Sequence, residues 1–94
     1  MSIRIQWDPD KAAKNASKHG VPFLEAATAF QDPLAFIFDD EEHSVEEQRE
    51  IIIGHSKRDR LLVVAFTERD DVIRIISARK ANRKEREGYE NARR

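Results

Sequence analysis

The chain has no cysteine, three glycines, three prolines and one residue each of tryptophan, tyrosine and methionine among 94 residues. Without cysteine there is no disulfide, no thiolate metal site and no thiol nucleophile. Glycine occurs only at 20, 54 and 88, so no glycine-rich loop is present to cradle phosphates. His19, His43 and His55 are never three or four residues apart, and no helix face can carry two imidazoles. Asp39-Asp40-Glu41-Glu42-His43 lacks the alternating ligands and turn glycine of a calcium loop. No metal and no cofactor are therefore expected. The apolar runs are too short to span a bilayer, and MSIRIQWDPD lacks the apolar core of a signal peptide. The expected location is cytoplasmic, with no membrane partner.

What is present suits one small folded domain over residues 1–94. Hydrophobic residues make up 39% and charged residues 37%, the balance of a soluble globular chain with a thin core. The net charge of −1 conceals an asymmetry. Asp39, Asp40, Glu41, Glu42, Glu46, Glu47 and Glu50 surround the single base Arg49. Further on, Arg79, Lys80, Arg83, Lys84, Arg86, Arg93 and Arg94 outnumber Glu85, Glu87 and Glu90. Such a division fits a polyanion or acidic protein at the basic end and a basic partner at the acidic end, or, as composition alone favours, two solvated faces that keep a small protein soluble.

The hydrophobic pattern predicts the order β-α-α-β-β-β-β-α. Ile3, Ile5 and Trp7 alternate with Arg4 and Gln6, the period of a strand with one buried face. Asp8-Pro9 starts a helix with Ala12, Ala13 and Ala16 on its apolar side and Gly20 as its stop. Pro22 opens a second helix, with Phe23, Ala26, Ala27 and Phe30 as a core-facing stripe and Leu24 beside it, ended by Asp32-Pro33. Strands follow at 34–38, 49–54, 61–67 and 72–77, the last three with short polar connections that favour an antiparallel meander. Asn82 and Glu85 form a capping box for a final helix with Ala81, Tyr89 and Ala92 as its sparse apolar stripe. The expectation is an α+β domain built on an antiparallel curved sheet, with two N-terminal helices on one face and a C-terminal helix.

Arg74 stands out inside VIRII, where its immediate neighbours should be buried. Strict period 2 groups it with Val72, Ile76 and Ala78, and groups Arg79 with Ile73, Ile75 and Ser77. Arg49 shares a face with Ile51 and Ile53. Two readings stand for Arg74: an ion pair with Glu50 or Glu68, or a groove lined by guanidinium groups, whose planar fork suits a phosphate. On a continuous helix Arg79, Lys80, Arg83 and Lys84 would make a ridge able to bind nucleic-acid phosphate, although charged terminal helices are often only solvated.

WDPDKAAKNASKHGV, FLEAATAFQDP, HSVEEQREIIIG and RIISARKANRKEREGYE together resemble the BrnT toxins of bacterial type II toxin–antitoxin systems. The likeness runs from Trp7 to about Glu90 with order and spacing intact, and departs at Pro22 and Asn82. The resemblance implies a RelE-like fold and a metal-independent endoribonuclease that slows growth by degrading RNA. It also implies a BrnA-type ribbon-helix-helix antitoxin as partner, a heterotetramer around an antitoxin dimer, and operator DNA bound through the antitoxin.

RNA cleavage without a metal needs a base for the 2′-hydroxyl, an acid for the leaving 5′-oxygen and cations for the phosphorane. Arg49, Arg69, Arg74 and Arg79 cannot serve as bases and are expected as electrostatic clamps. His19 can act as acid or base, or can instead meet the last carbonyls of its helix. Glu68 and Glu47 are alternative bases, Tyr89 and Lys80 alternative donors, and Lys80, Arg83 and Lys84 the expected RNA-binding residues. Two readings of other classes stand beside this one: a toxin of the same fold that poisons a protein target such as gyrase, and a non-catalytic nucleic-acid-binding module. An antitoxin is expected to neutralise the arginine cluster by covering it with acidic or apolar segments.

Overall fold

In a computed structural model, residues 4–43 and 47–92 are described; Ile3 and Glu46 lie outside them. The elements run β1 (Arg4–Gln6), α1 (Pro9–His19), α2 (Phe23–Thr28), β2 (Phe36–Asp39), β3 (Glu50–His55), β4 (Leu61–Arg69), β5 (Val72–Lys80) and α3 (Arg83–Asn91). Single 3₁₀ turns occupy Ala29–Gln31 and Glu41–His43. The five strands form one sheet in the order β1-β5-β4-β3-β2. From β2 to β5 it is the expected antiparallel meander. β1, however, lies parallel to β5, so the sheet is mixed rather than wholly antiparallel. The chain leaves β1 through both helices and enters the meander at the far edge, which sets the first strand alongside the last.

The caps explain where the helices begin and end. Asp8 Oδ1 accepts from the backbone N–H of Asp10 at 2.8 Å, Pro9 occupies the first turn, and Gly20 closes α1 at φ 69°. The face of α1 that packs is centred on Asn15 rather than on three alanines: Ala12 reaches the core, whereas Ala13 is exposed. Asn15 is buried, donates to the carbonyls of Val21 (3.0 Å) and Ala78 (2.8 Å), and accepts from the N–H of Ala78 (3.1 Å). β1 pairs with only the first residues of β5. Beyond them the amide side chain acts as the missing strand and satisfies backbone groups that burial would otherwise strand.

α2 buries Phe23 and Ala26 as expected, but tightens into 3₁₀ geometry at Ala29, and Leu24 points to solvent. It also buries Glu25. That carboxylate accepts from Ser56 Oγ (2.7 Å) and Arg60 Nε (2.8 Å) and pairs with Arg60 Nη2. Arg60 in turn reaches the carbonyl of Gly20 (3.2 Å), so one ion pair ties both helices to the β3–β4 loop. The hydrogen bond from Arg60 is the largest influence on Glu25, and with Ser56 it outweighs burial and holds the acid below its ordinary pKa.

The main core lies between these helices and the inner face of the sheet: Val21, Phe23, Ala26, Ile52, Leu62, Val64, Phe66, Ile73 and Ile75. The rings of Phe30 and Phe66 meet edge to face at 5.0 Å. Gly54 permits the closest approach. A Cβ there would stand 2.8 Å from Ala35 Cβ and 3.0 Å from the Ala29 carbonyl. β5 runs three residues further at its far end than the pattern predicted, and β4 runs two further toward its turn, because Asp70 and Asp71 alone make the turn, at φ 54° and 66°. Both occupy the left-handed region that a two-residue hairpin turn requires.

Two outcomes follow for stability. Gly54→Ala should cost about 1–3 kcal/mol, read as a lowered Tm, because backbone rather than a side-chain tip must yield. Because Glu25 is depressed in the folded state, its pairing stabilises above the ordinary glutamate pKa and is lost as pH falls through the lower folded value. Glu25→Gln should therefore be less stable at neutral pH by roughly 2–4 kcal/mol and should show a shallower acid transition in urea titrations.

Candidate active site

The face of the sheet turned away from α1 and α2 carries the candidate site, and an irregularity in β5 creates it. Ala65 pairs with Ser77 while its neighbour Phe66 pairs with Ile75, leaving Ile76 as an extra residue. Such a bulge resets the alternation of side chains. Strict period 2 separates Arg74 from Arg79. In the structure Arg74 lies opposite Thr67 and Arg79 opposite Val63, both on the outer face. Ala78 is turned inward to meet Asn15.

α3 divides this outer face. Its one buried residue, Tyr89, packs on Ile53, Leu61 and Val63, with Phe36, Ile51 and Ala81 around them. The Tyr89 hydroxyl donates to Asp32 Oδ2 (2.8 Å), and His55 Nδ1 lies 3.1 Å from the same hydroxyl. Burial alone would raise the Asp32 pKa, but the N–H groups of His55 and Leu34, with Tyr89, together hold it below the usual range. Tyr89 thus serves as an anchor, and its hydroxyl is already engaged beneath the helix.

Arg79 is the second anchor of α3. Its Nη1 and Nη2 each donate at 2.7 Å to the two oxygens of Glu85, a fork-to-fork pair. Glu85 Oε1 also accepts from the N–H of Asn82 (2.9 Å), whose Oδ1 accepts in return from Glu85 N (2.8 Å), completing the predicted capping box. The Arg79 hydrogen bonds are the main cause that depresses Glu85, and those of Glu85 raise Arg79. The ridge expected on one helix does not form. Arg79 and Lys80 belong to β5, and α3 begins only at Arg83. Lys80 and Lys84 are exposed, and Arg83 pairs with Glu87 at 3.2 Å.

The opposite end of the outer face is an open groove of about 640 Å³ at the β4–β5 turn. Arg69, Arg74, Glu68 and Glu47 line it, with Gln6, Gln48 and Thr67 between them. Gln6 pairs with Arg74 across the β1–β5 ladder and Thr67 does so across β4–β5, so a polar residue stands on each side of the guanidinium. Among the described residues, Arg69 and Arg74 form no ion pair, with Glu50, Glu68 or any other carboxylate. Arg49 directly precedes β3, with its Nε buried and its carbonyl accepting from Asp40 N at 2.9 Å. His19, half-buried in the last turn of α1, belongs to the helix layer on the other side of the sheet.

The structure therefore gathers Arg69, Arg74, Glu68 and Glu47 at one groove, sets Arg79 under α3, and leaves His19, Lys80, Arg83 and Lys84 outside it. Gln6, Gln48 and Thr67 were missed by the sequence reading, and nothing in the sequence marks Gln48. The alternation Arg4-Ile5-Gln6, and the single hydroxyl that ends LLVVAFT, are the signals that mark the other two.

No curated relative matches the chain. The crystal structure of the Brucella abortus ribonuclease toxin BrnT superposes with a TM-score of 0.66 at 24% identity, covering 87% of this chain and 100% of that one, and shows the same fold. Residues 7–85 match the family described as ribonuclease toxin, BrnT, of type II toxin–antitoxin systems. The chain belongs to the BrnT family of ribonuclease toxins.

Proposed function

We propose that the groove beside the β4–β5 turn is the active site of a metal-independent endoribonuclease that inhibits translation and growth by cutting RNA. The observation that carries this reading is the pairing, in one open cavity, of two guanidinium groups outside any ion pair among the described residues with two carboxylates. Arg74 and Arg69 would grip the phosphodiester and stabilise the charge that grows on it during in-line attack. Glu68 or Glu47 would take the proton from the 2′-hydroxyl as its oxygen bonds to phosphorus, and the 5′-oxygen released when its bond to phosphorus breaks would take up that proton or one from water. Gln6, Gln48 and Thr67 supply neutral hydrogen bonds for orientation.

Arg79 has a different part in this reading. Its fork is already occupied by Glu85, so an incoming phosphate gains less from it than from Arg74. Arg49 supports the outer face from its position before β3. Lys80, Arg83 and Lys84 act as outlying contacts to the RNA backbone. The neutralising partner is a BrnA-type ribbon-helix-helix antitoxin, with two toxin copies on an antitoxin dimer that binds operator DNA. Family membership supports this assembly, and RNA as substrate implies the cytoplasm as the place of action.

Digestion of RNA by the purified chain in EDTA tests the reading. Cleavage should persist in chelator, and Arg74→Ala should lower its rate about 100-fold or more while leaving the melting temperature nearly unchanged. Arg79→Ala should show the opposite balance: a smaller loss of rate, with destabilisation of about 1–2 kcal/mol as α3 loses its ion pair. Intact RNA alongside growth arrest would instead indicate a poisoned protein target. Glu68→Gln and Glu47→Gln, assayed separately, identify the base. The variant that removes it should lose roughly 10²–10⁴ in kcat with KM little changed, and the other should retain most activity.

A further inference from the structure

Among the described residues β2 is an edge strand, paired with β3 on one side only. Native edges are usually protected by lysine, proline, a bulge or a covering element. None of the first three interrupts residues 34–39. Instead, Leu34 (45% exposed), Ile37 (52%) and Phe38 (43%) make up all but one of the large apolar side chains exposed among the described residues. The two faces of the edge differ. On the inner side Ile37 borders an apolar cleft of about 400 Å³ whose floor includes Ile52, Phe66 and Ile73 and whose wall is Phe30. On the outer side Phe38 stacks on Phe36, with ring centres 6.0 Å apart. A strand laid beside β2 would find backbone partners and an apolar site on each face, the requirements of strand addition.

Charge selects the occupant. Immediately after Phe38 come Asp39, Asp40, Glu41 and Glu42, and only His43, bonded to Asp40 at 3.0 Å, stands against them. A second copy pairing in parallel would set two such acidic stretches against each other, and one pairing antiparallel about Ile37 would place residues 32–35, which contain no cation, opposite each stretch. A segment with basic residues beyond its apolar positions meets no such opposition. Members of a type II toxin family have an antitoxin as their partner. We propose that β2 docks an extended segment of the antitoxin, apolar at alternate positions and flanked by lysine or arginine, as a sixth strand of the sheet. One apolar side chain enters the cleft beside Ile37, its neighbours rest on Phe36 and Phe38, and the basic flank meets residues 39–42. The inference depends on family membership and not on the cleavage reading, because the edge and the arginine groove share no side chain other than Glu68 at the rim of both.

Amide hydrogen exchange of the unmodified chain, alone and bound to its cognate antitoxin, tests this directly. The outward amides of residues 36–39 should exchange about tenfold or more slowly in the complex. Glu41→Lys with Glu42→Lys should weaken antitoxin binding about tenfold at physiological salt, with the difference shrinking at high salt. Ile37→Lys should weaken it at every salt concentration. Both sets of variants should cut RNA as the unmodified chain does, which separates this proposal from the fate of the active-site reading. Unchanged exchange at 36–39 in the complex would overturn it. So would antitoxin affinity indifferent to both substitutions, or a free chain that sediments as a dimer and becomes monomeric with Ile37→Lys.

Discussion

The extra residue in β5 is the constraint on which the rest of the structure depends. A strand that kept strict alternation could serve the helix layer or the open face at both of its ends, but not switch between them. With Ile76 inserted, Ile73 and Ile75 face the helices at one end and Ala78 does so at the other. The positions between and beyond them, Arg74 and Arg79, fall together on the outer side. Curvature follows from the same feature, since a bulge strengthens local twist. Asn15 then completes the inner edge of β5 where β1 stops.

The outer face is divided between support and the candidate site. Near α3 the polar groups that anchor the helix are committed: Arg79 to Glu85, Tyr89 to Asp32, and Asp32 also to the N–H groups of His55 and Leu34. Near the β4–β5 turn, Arg69 and Arg74 remain available beside Glu47 and Glu68. The same residue type therefore does opposite work a few positions apart. A guanidinium held in a bidentate pair confers rigidity and gives up much of its attraction for a new anion. One at the rim of an open cavity keeps it. This contrast, more than the total of basic residues, locates the candidate site.

Local chemistry made much of the fold legible in the sequence. Asp8-Pro9 with Gly20, and Asn82 with Glu85, announce helix ends through interactions that span three or four residues. Alternation and apolar runs announce the strands in the same way. What stayed hidden required knowledge of distant neighbours. The parallel seat of β1 depends on where the meander finishes. The buried pairing of Glu25 depends on Ser56 and Arg60, 31 and 35 positions away. For the candidate site, Arg74 was conspicuous as a charge within VIRII and Arg69, Glu68 and Glu47 stood out by their chemistry, but the neutral residues that complete the groove, Gln6, Gln48 and Thr67, did not. A bulge leaves no mark in a pattern of Ile-Ile-Ser, so the face of Arg79 was assigned wrongly. His19 fitted the required chemistry while the sheet stood between it and the groove.

The parallel seat of β1 also bears on how the protein is assembled. Arg4, Ile5 and Gln6 find their partners only at Val72, Ile73 and Arg74, and the Asp32–Tyr89 contact joins residues 57 positions apart. Contacts of such long sequence separation form late, after local helices and hairpins. An incomplete chain emerging from a ribosome would hold its first strand and its helices in waiting, with neither face of the sheet finished. The groove would exist only once β5 had been synthesised and seated. If that groove is the active site, a nascent chain cannot cut RNA through it until nearly all of this domain has been translated.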